Sequence, residues 1–137
     1  MTKHIYIRAY MAGIFIPTLF LLVVMTVYCT IRYAYNLPVP IERVIVFPMA
    51  AVPNLWGLWN VLYVAFFSRR HVSLGLYGGA LPLVLGPLGY AIARLLDFPV
   101  PHFIGSVFPI ALPIGLALYY LAWKYIVGFL NAELGIA

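Results

Sequence analysis

Four long stretches of the chain carry no Asp, Glu, Lys or Arg: Ala9 to Ile31, Val44 to Ser68, His71 to Ala93 and Phe98 to Trp123. They hold 23, 25, 23 and 26 residues. A helix rising about 1.5 Å per residue crosses a roughly 30 Å hydrocarbon core in about 20 residues. Within these stretches apolar and polar positions do not alternate. Phe20-Leu-Leu-Val-Val-Met-Thr-Val27 is apolar on nearly every face, which argues against barrel strands, where lipid-facing and lumen-facing residues alternate. The pattern predicts an all-α integral membrane protein, a single membrane domain over residues 1–137, with four transmembrane helices at about 9–32, 44–68, 72–95 and 102–130. The first apolar run exceeds the core of a secretory signal, and the following Arg32-Tyr-Ala-Tyr-Asn36 offers no small-residue cleavage site, so it is read as a span.

Composition agrees with this reading. The chain is 66% hydrophobic and 8% charged, with a mean hydropathy of +1.05, whereas soluble domains carry about 25% charged residues. Charge placement adds an orientation. Four spans put both termini and the middle loop on one side, with Lys3, Arg8, Arg69, Arg70 and Lys124; Arg32, Arg43 and Arg94 lie opposite, nearly balanced by Glu42 and Asp97. Lys and Arg gather on the cytoplasmic side of membrane proteins, so both termini are expected to be cytoplasmic. The net charge of +5 is then a topology signal, helped by anionic headgroups, rather than a nucleic-acid footprint. A bacterial inner membrane is the expected location, since the chain is short, biased in the expected sense and without a targeting presequence.

An internal repeat is visible. Leu37-Pro-Val-Pro-Ile-Glu-Arg-Val-Ile-Val-Phe-Pro-Met-Ala50 aligns with Phe98-Pro-Val-Pro-His-Phe-Ile-Gly-Ser-Val-Phe-Pro-Ile-Ala111 at an offset of 61, with seven of fourteen positions identical. Upstream, Asn36 falls on Asp97 at the same offset, while Tyr28 and Arg32 correspond to Tyr90 and Arg94 at 62; downstream, Pro53 answers Pro113 at 60. The chain is expected to be a duplicated two-helix hairpin, with units of about 9–68 and 72–130. Each unit holds an even number of spans, so the copies insert in the same direction, as in parallel internal repeats.

The unit can be read in order. Arg32 and Arg94 end the first helix of each copy, where a cation meets the negative end of the helix dipole and a long stem reaches the headgroups. Pro38, Pro40, Pro99 and Pro101 impose an extended turn. Glu42 then suits the positive start of the following helix, a place the second copy gives to Phe103. Pro48, Pro53, Pro109 and Pro113 each remove a backbone donor inside the bilayer, and neighbouring helices must compensate. Span three carries small residues at packing intervals, among them Gly75, Gly79, Gly86 and Gly89. That spacing lets backbones approach closely, so span three is expected to be the central, most protein-contacted helix, either within the monomer or at an oligomer interface.

Span two carries the most chemistry. Trp56, Asn60 and Tyr63 follow at steps of four and three and share a face with Phe67. Asn60 is expected near mid-depth, where an amide points at a bundle interior or cavity. Two uses fit: a ligand pocket with aromatic walls and an orienting amide, or an interhelical amide hydrogen bond. The run Pro53-x-x-Trp-x-x-Trp-x-x-x-Tyr63 resembles the Trp-rich second helix of the tryptophan-rich sensory, or translocator, proteins. Those proteins have five spans and tryptophans on several helices, whereas only Trp123 lies elsewhere in this chain, so their porphyrin and sterol binding is not carried over.

No catalytic constellation emerges. His4, His71 and His102 share no helical face at ligand spacing, so no metal or haem site within one helix is expected. Ser68, Ser73 and Ser106 lack a nucleophile-elbow context, and Leu76-Tyr-Gly-Gly-Ala80 is no phosphate loop. The single Cys29 excludes an internal disulfide. Arg32, Glu42, Arg43, Arg94, Asp97 and His102 form an expected charged cluster at the outer rim, used for mutual compensation rather than turnover. The expected role is a non-catalytic structural or accessory subunit of a homo- or hetero-oligomeric membrane assembly, without a cofactor. A small carrier or channel with its pocket on span two is the alternative.

Overall fold

The computed structural model describes residues 3–38, 49–100 and 102–136. Among them there are no strands and four helices long and apolar enough to cross a membrane: α1 (Ile5–Tyr35), α2 (Met49–Phe67), α3 (Leu74–Leu95) and α4 (Phe103–Glu133). This is the architecture of a multi-pass membrane protein. Glu42, Arg43, Pro40, Pro48 and Pro101 lie outside the described residues. Large apolar side chains cover the exterior of every helix, including Phe20, Leu76 and Ile110, each about two-thirds exposed, as a lipid solvent requires.

The helices stop where the backbone turns left-handed. His4, Asn36, His71 and Asp97 all have positive φ, and each flanks a helix end. Asn and Asp tolerate this region better than other residues with a side chain. Two helices change pitch near one end: α2 finishes in a π-helical turn at Tyr63–Phe67, and α4 contains another at Ala122–Val127. Helix α3 is broken at Ala80 into a short segment, Leu74–Gly79, and a longer one, Leu81–Leu95. Polar side chains within the spans satisfy themselves locally. The hydroxyls of Thr26 and Thr30 donate to the carbonyls of Leu22 and Thr26, both at 2.8 Å.

Packing is tightest where a glycine meets a large ring or a backbone. In the α1–α2 pair, a Cβ on Gly13 would lie 2.6 Å from the Trp56 carbonyl oxygen, and one on Gly57 would strike the Tyr10 ring. In the α3–α4 pair, Gly75 and Gly79 face Tyr120, and a Cβ on Gly78 would sit 1.8 Å from the Trp123 ring. Between the pairs lies the apolar core of Trp56, Leu81, Leu85, Trp123 and Val127. The termini close this end: Arg8 Nη1 donates to the Leu134 carbonyl at 2.9 Å.

The far end is open. The first nineteen residues of α4, Phe103–Leu121, include no buried residue. Gly86 also departs from the expectation of close helix packing, because a Cβ there would meet nothing within 4 Å. Within the chain, burial is shared by α1, α2, the first half of α3 and the last part of α4, where Trp123, Val127 and Asn131 are buried, and only the segment of α3 before Ala80 presses its glycines on α4. Two glycines of one helix should therefore respond in opposite ways. Gly78→Leu is expected to lower stability by about 3 kcal/mol or more, the overpacking regime, and Gly86→Leu to stay within about 0.5 kcal/mol. Thermal unfolding in detergent micelles reads both, and equal losses would contradict this packing.

Candidate functional site

The polar centre of the bundle is an amide pair. Asn60 on α2 and Asn131 on α4 are both fully buried. Asn60 Nδ2 donates to Asn131 Oδ1 at 2.8 Å, and Asn131 Nδ2 donates back to Asn60 Oδ1 at 3.2 Å. The second Asn60 N–H goes to the Ala9 carbonyl of α1 at 2.7 Å. One side chain thus bridges three helices. The level of Ala9 and Asn131 is near the end that carries the termini, not the mid-depth expected for Asn60.

Aromatic rings extend this centre in two directions. Trp56 packs on Tyr119 and Trp123, with centroids 4.9 and 5.2 Å away, and its Nε1 donates to Tyr119 Oη at 3.4 Å. Tyr77 is ringed by Trp59, Tyr63 and Phe67 at 4.9, 5.3 and 4.9 Å. Trp59 Nε1 donates to the Tyr77 carbonyl at 3.0 Å, and the Tyr63 hydroxyl to the Val72 carbonyl at 2.9 Å. Near the Pro53 bend, the Tyr10 hydroxyl donates to Asn54, whose Nδ2 donates to the Ala50 carbonyl at 2.6 Å. The indole N–H of Trp123 is buried with no hydrogen-bond partner among the described residues.

Three concave regions surround this frame. A cavity of about 400 Å³ lies where Ile16, Pro17 and Leu21 of α1 face Trp56 of α2 and Tyr119 and Ala122 of α4. A larger groove of about 720 Å³ separates the far halves of α3 and α4, between Gly86, Gly89 and Ala93 on one wall and Ile104, Phe108 and Leu112 on the other. Beyond it, a pocket of about 260 Å³ is formed by Ala93, Arg94, Asp97, Phe98 and Pro99.

The residues singled out by sequence are therefore distributed as follows. Trp56, Asn60 and Tyr63 are all buried on one face of α2; Trp56 lines the smaller cavity, while Asn60 and Tyr63 spend their polar atoms on the protein. Gly75 and Gly79 sit at helix contacts, whereas Gly86 and Gly89 line the groove. Arg94 and Asp97 share one pocket; His102 is exposed, Arg32 is half-buried on α1, and neither lines that pocket. Among the described residues, no group of three His, Cys, Asp or Glu could hold a metal ion. Sequence reasoning missed Asn131, Tyr77, Tyr119 and Trp123. Asn131 did carry a signal, being the only Asn or Gln after Asn60.

The chain matches no family, no curated protein and no solved structure.

The reciprocal geometry predicts strong coupling. Asn60→Leu and Asn131→Leu should each cost about 1–3 kcal/mol by stranding a buried amide. The double variant should be less destabilised than the sum, with a coupling of about 0.6–2 kcal/mol. A double-mutant cycle by reversible unfolding in mixed micelles measures it, and strict additivity would count against the pair.

Proposed function

We propose that the protein is a non-catalytic four-span subunit of a homo- or hetero-oligomeric membrane assembly, joined through the far half of α4. The observation that carries this reading is that Phe103–Leu121 has no buried residue although it contains Gly105 and Gly115, each with open space where a Cβ would sit. Small residues in a membrane helix favour close approach of another helix, because lipid offers no hydrophobic force to drive association and contact must come from packing. Within the described residues, Gly13, Gly57, Gly75 and Gly78 serve close helix contacts in that way.

The proposed architecture is a duplicated hairpin with both termini cytoplasmic. Beyond the sequence repeat, local irregularities support it. Asn36 and Asp97, matched at an offset of 61, are both left-handed, with φ of 49° and 51°. The π-helical turn of α2 spans 63–67 and that of α4 spans 122–127, overlapping at the offset of 60 that relates Pro53 to Pro113. At the offset of 62 Gly13 falls on Gly75, and both are close-contact glycines: a Cβ on Gly13 would lie 2.6 Å from the Trp56 carbonyl oxygen, and one on Gly75 would lie 2.9 Å from the Tyr120 ring. The cytoplasmic placement rests on the Lys and Arg bias.

A second reading, a small carrier for an apolar solute, is favoured by the cavity at Trp56, where the Tyr119 hydroxyl is already held by the indole.

Native mass spectrometry of protein extracted from its own membranes with minimal detergent tests both. A symmetric oligomer, or a fixed ratio with other subunits, is the expected result, and Gly115→Leu should shift it toward the monomer. Migration at monomer mass without a retained small molecule would remove both readings. A monomer that retains an apolar molecule, lost in Trp56→Leu, would favour the carrier.

A further inference from the structure

We propose that the groove between the far halves of α3 and α4 is a binding site for one membrane phospholipid with an aminoalkyl headgroup, its chain in the groove, its phosphate on Arg94 and its ammonium on Asp97. This inference does not rest on the assembly reading, although Ile104, Phe108 and Leu112 of the groove belong to the half of α4 that the assembly reading uses; it rests on dimensions, charge and a comparison between the two hairpins.

The dimensions are those of one leaflet. Along α3 the groove runs from Pro82 to Ala93, eleven helical steps or about 16 Å at about 1.5 Å each. That is half of a roughly 30 Å hydrocarbon core. Its volume of about 720 Å³ lies in the range of small-molecule sites, about 300–1,000 Å³. It is open along its side, so a chain enters laterally from the bilayer without passing through water.

The charges stand at one end of that slot. Ala93 lines both the apolar groove and the rim pocket, and Arg94 and Asp97 occupy the latter. A guanidinium is suited to a phosphate, with paired N–H donors and weak hydration. A carboxylate three residues on, at the end of the same helix, is complementary to a cationic ammonium. A purely anionic headgroup would meet one attractive and one repulsive charge; a phosphate joined to an ammonium meets two attractive ones.

The comparison between hairpins shows how the slot is made. At the offset of 62 that relates Tyr28 and Arg32 to Tyr90 and Arg94, the groove residues Gly86, Gly89 and Ala93 replace Val24, Val27 and Ile31. Three bulky side chains of α1 thus correspond to three small ones along α3. A Cβ on Gly86 would meet no atom within 4 Å, so at that position the small residue is not required by helix packing. Pro87, Pro109 and Pro113 lie within the two helices that form the walls.

The test restores the bulk of the first hairpin. Gly86→Val, Gly89→Val and Ala93→Ile are combined in one variant, and Arg94→Gln and Asp97→Asn are made separately. Delipidated protein is titrated with dioleoyl phosphatidylethanolamine, dioleoyl phosphatidylglycerol or dioleoylglycerol, and bound lipid is counted by native mass spectrometry. Wild type is expected to retain one phosphatidylethanolamine, and the filled variant to bind it about tenfold more weakly while unfolding at an unchanged temperature. Arg94→Gln should weaken both phospholipids and leave dioleoylglycerol unaffected. Asp97→Asn should abolish the preference for phosphatidylethanolamine over phosphatidylglycerol. Equal lipid retention by wild type and filled variant would overturn the proposal, as would dimerisation of lipid-free wild type that the filled variant abolishes, since a second copy would then occupy the groove. If the filled variant does not fold, the two rim variants decide alone: indifference of both to headgroup chemistry overturns it.

Discussion

The amide pair of Asn60 and Asn131 is the contact on which the arrangement of the helices depends. In water, burying apolar side chains would bring the helices together. In lipid that force is absent between spans, because a leucine gains little by exchanging acyl chains for another leucine. Direction must come from groups that lipid cannot satisfy. The Asn60 amide offers two N–H groups and one carbonyl, and all three find partners, on Asn131 and on the Ala9 carbonyl. An unpaired amide in hydrocarbon is penalised heavily, so this set fixes α1, α2 and α4 in rotation and in register.

With register set, glycines decide how close the helices come. Gly13 lets α1 reach the α2 backbone, and Gly78 accepts the face of the Trp123 ring. Trp123 in turn packs against Trp56, the rings tilted by 32°, so the two close pairs meet through indoles. Every one of these contacts lies toward the end that holds the termini. Beyond Leu85, α3 has no buried residue, and the facing part of α4, Phe103–Leu121, has none to receive it. Among the described residues, the close contacts gather at one end of the bundle, and the groove between α3 and α4 lies where they are missing.

Much of this was legible in the chain because lipid imposes simple rules. Runs free of charge gave the four spans; α1 extends four residues past its run at either end because Arg8 and Arg32 lie in its terminal turns, and α4 continues past its run from Lys124 to Glu133. The shared face of Trp56, Asn60 and Tyr63 followed from helical spacing. Its partner was not legible, since Asn131 lies beyond the last apolar run and nothing local says that it meets an amide 71 positions away. The level of Asn60 in the bundle was not legible either, because the offset between helices is a tertiary property: Asn60 meets Ala9, one turn into α1. The glycines of α3 looked uniform in sequence. Only the break at Ala80 divides them into those that touch α4 and those that border open space.

That division also bears on how one scaffold could carry two roles. Under the proposed duplication, the two hairpins correspond near the termini: a close-contact glycine on the first helix, Gly13 or Gly75, and on the second a π-helical turn with Tyr63 or Trp123, 60 positions apart. These cannot drift freely, because each glycine meets atoms at less than ordinary contact distance or close to it. The far ends face lipid, where exchanging Val24, Val27 and Ile31 for Gly86, Gly89 and Ala93 disturbs no protein contact at Gly86. Divergence should concentrate where packing is loosest. In this chain that place is also where a cation and an anion stand beside an apolar slot, so the least constrained region of the fold is the one best furnished to bind something other than itself.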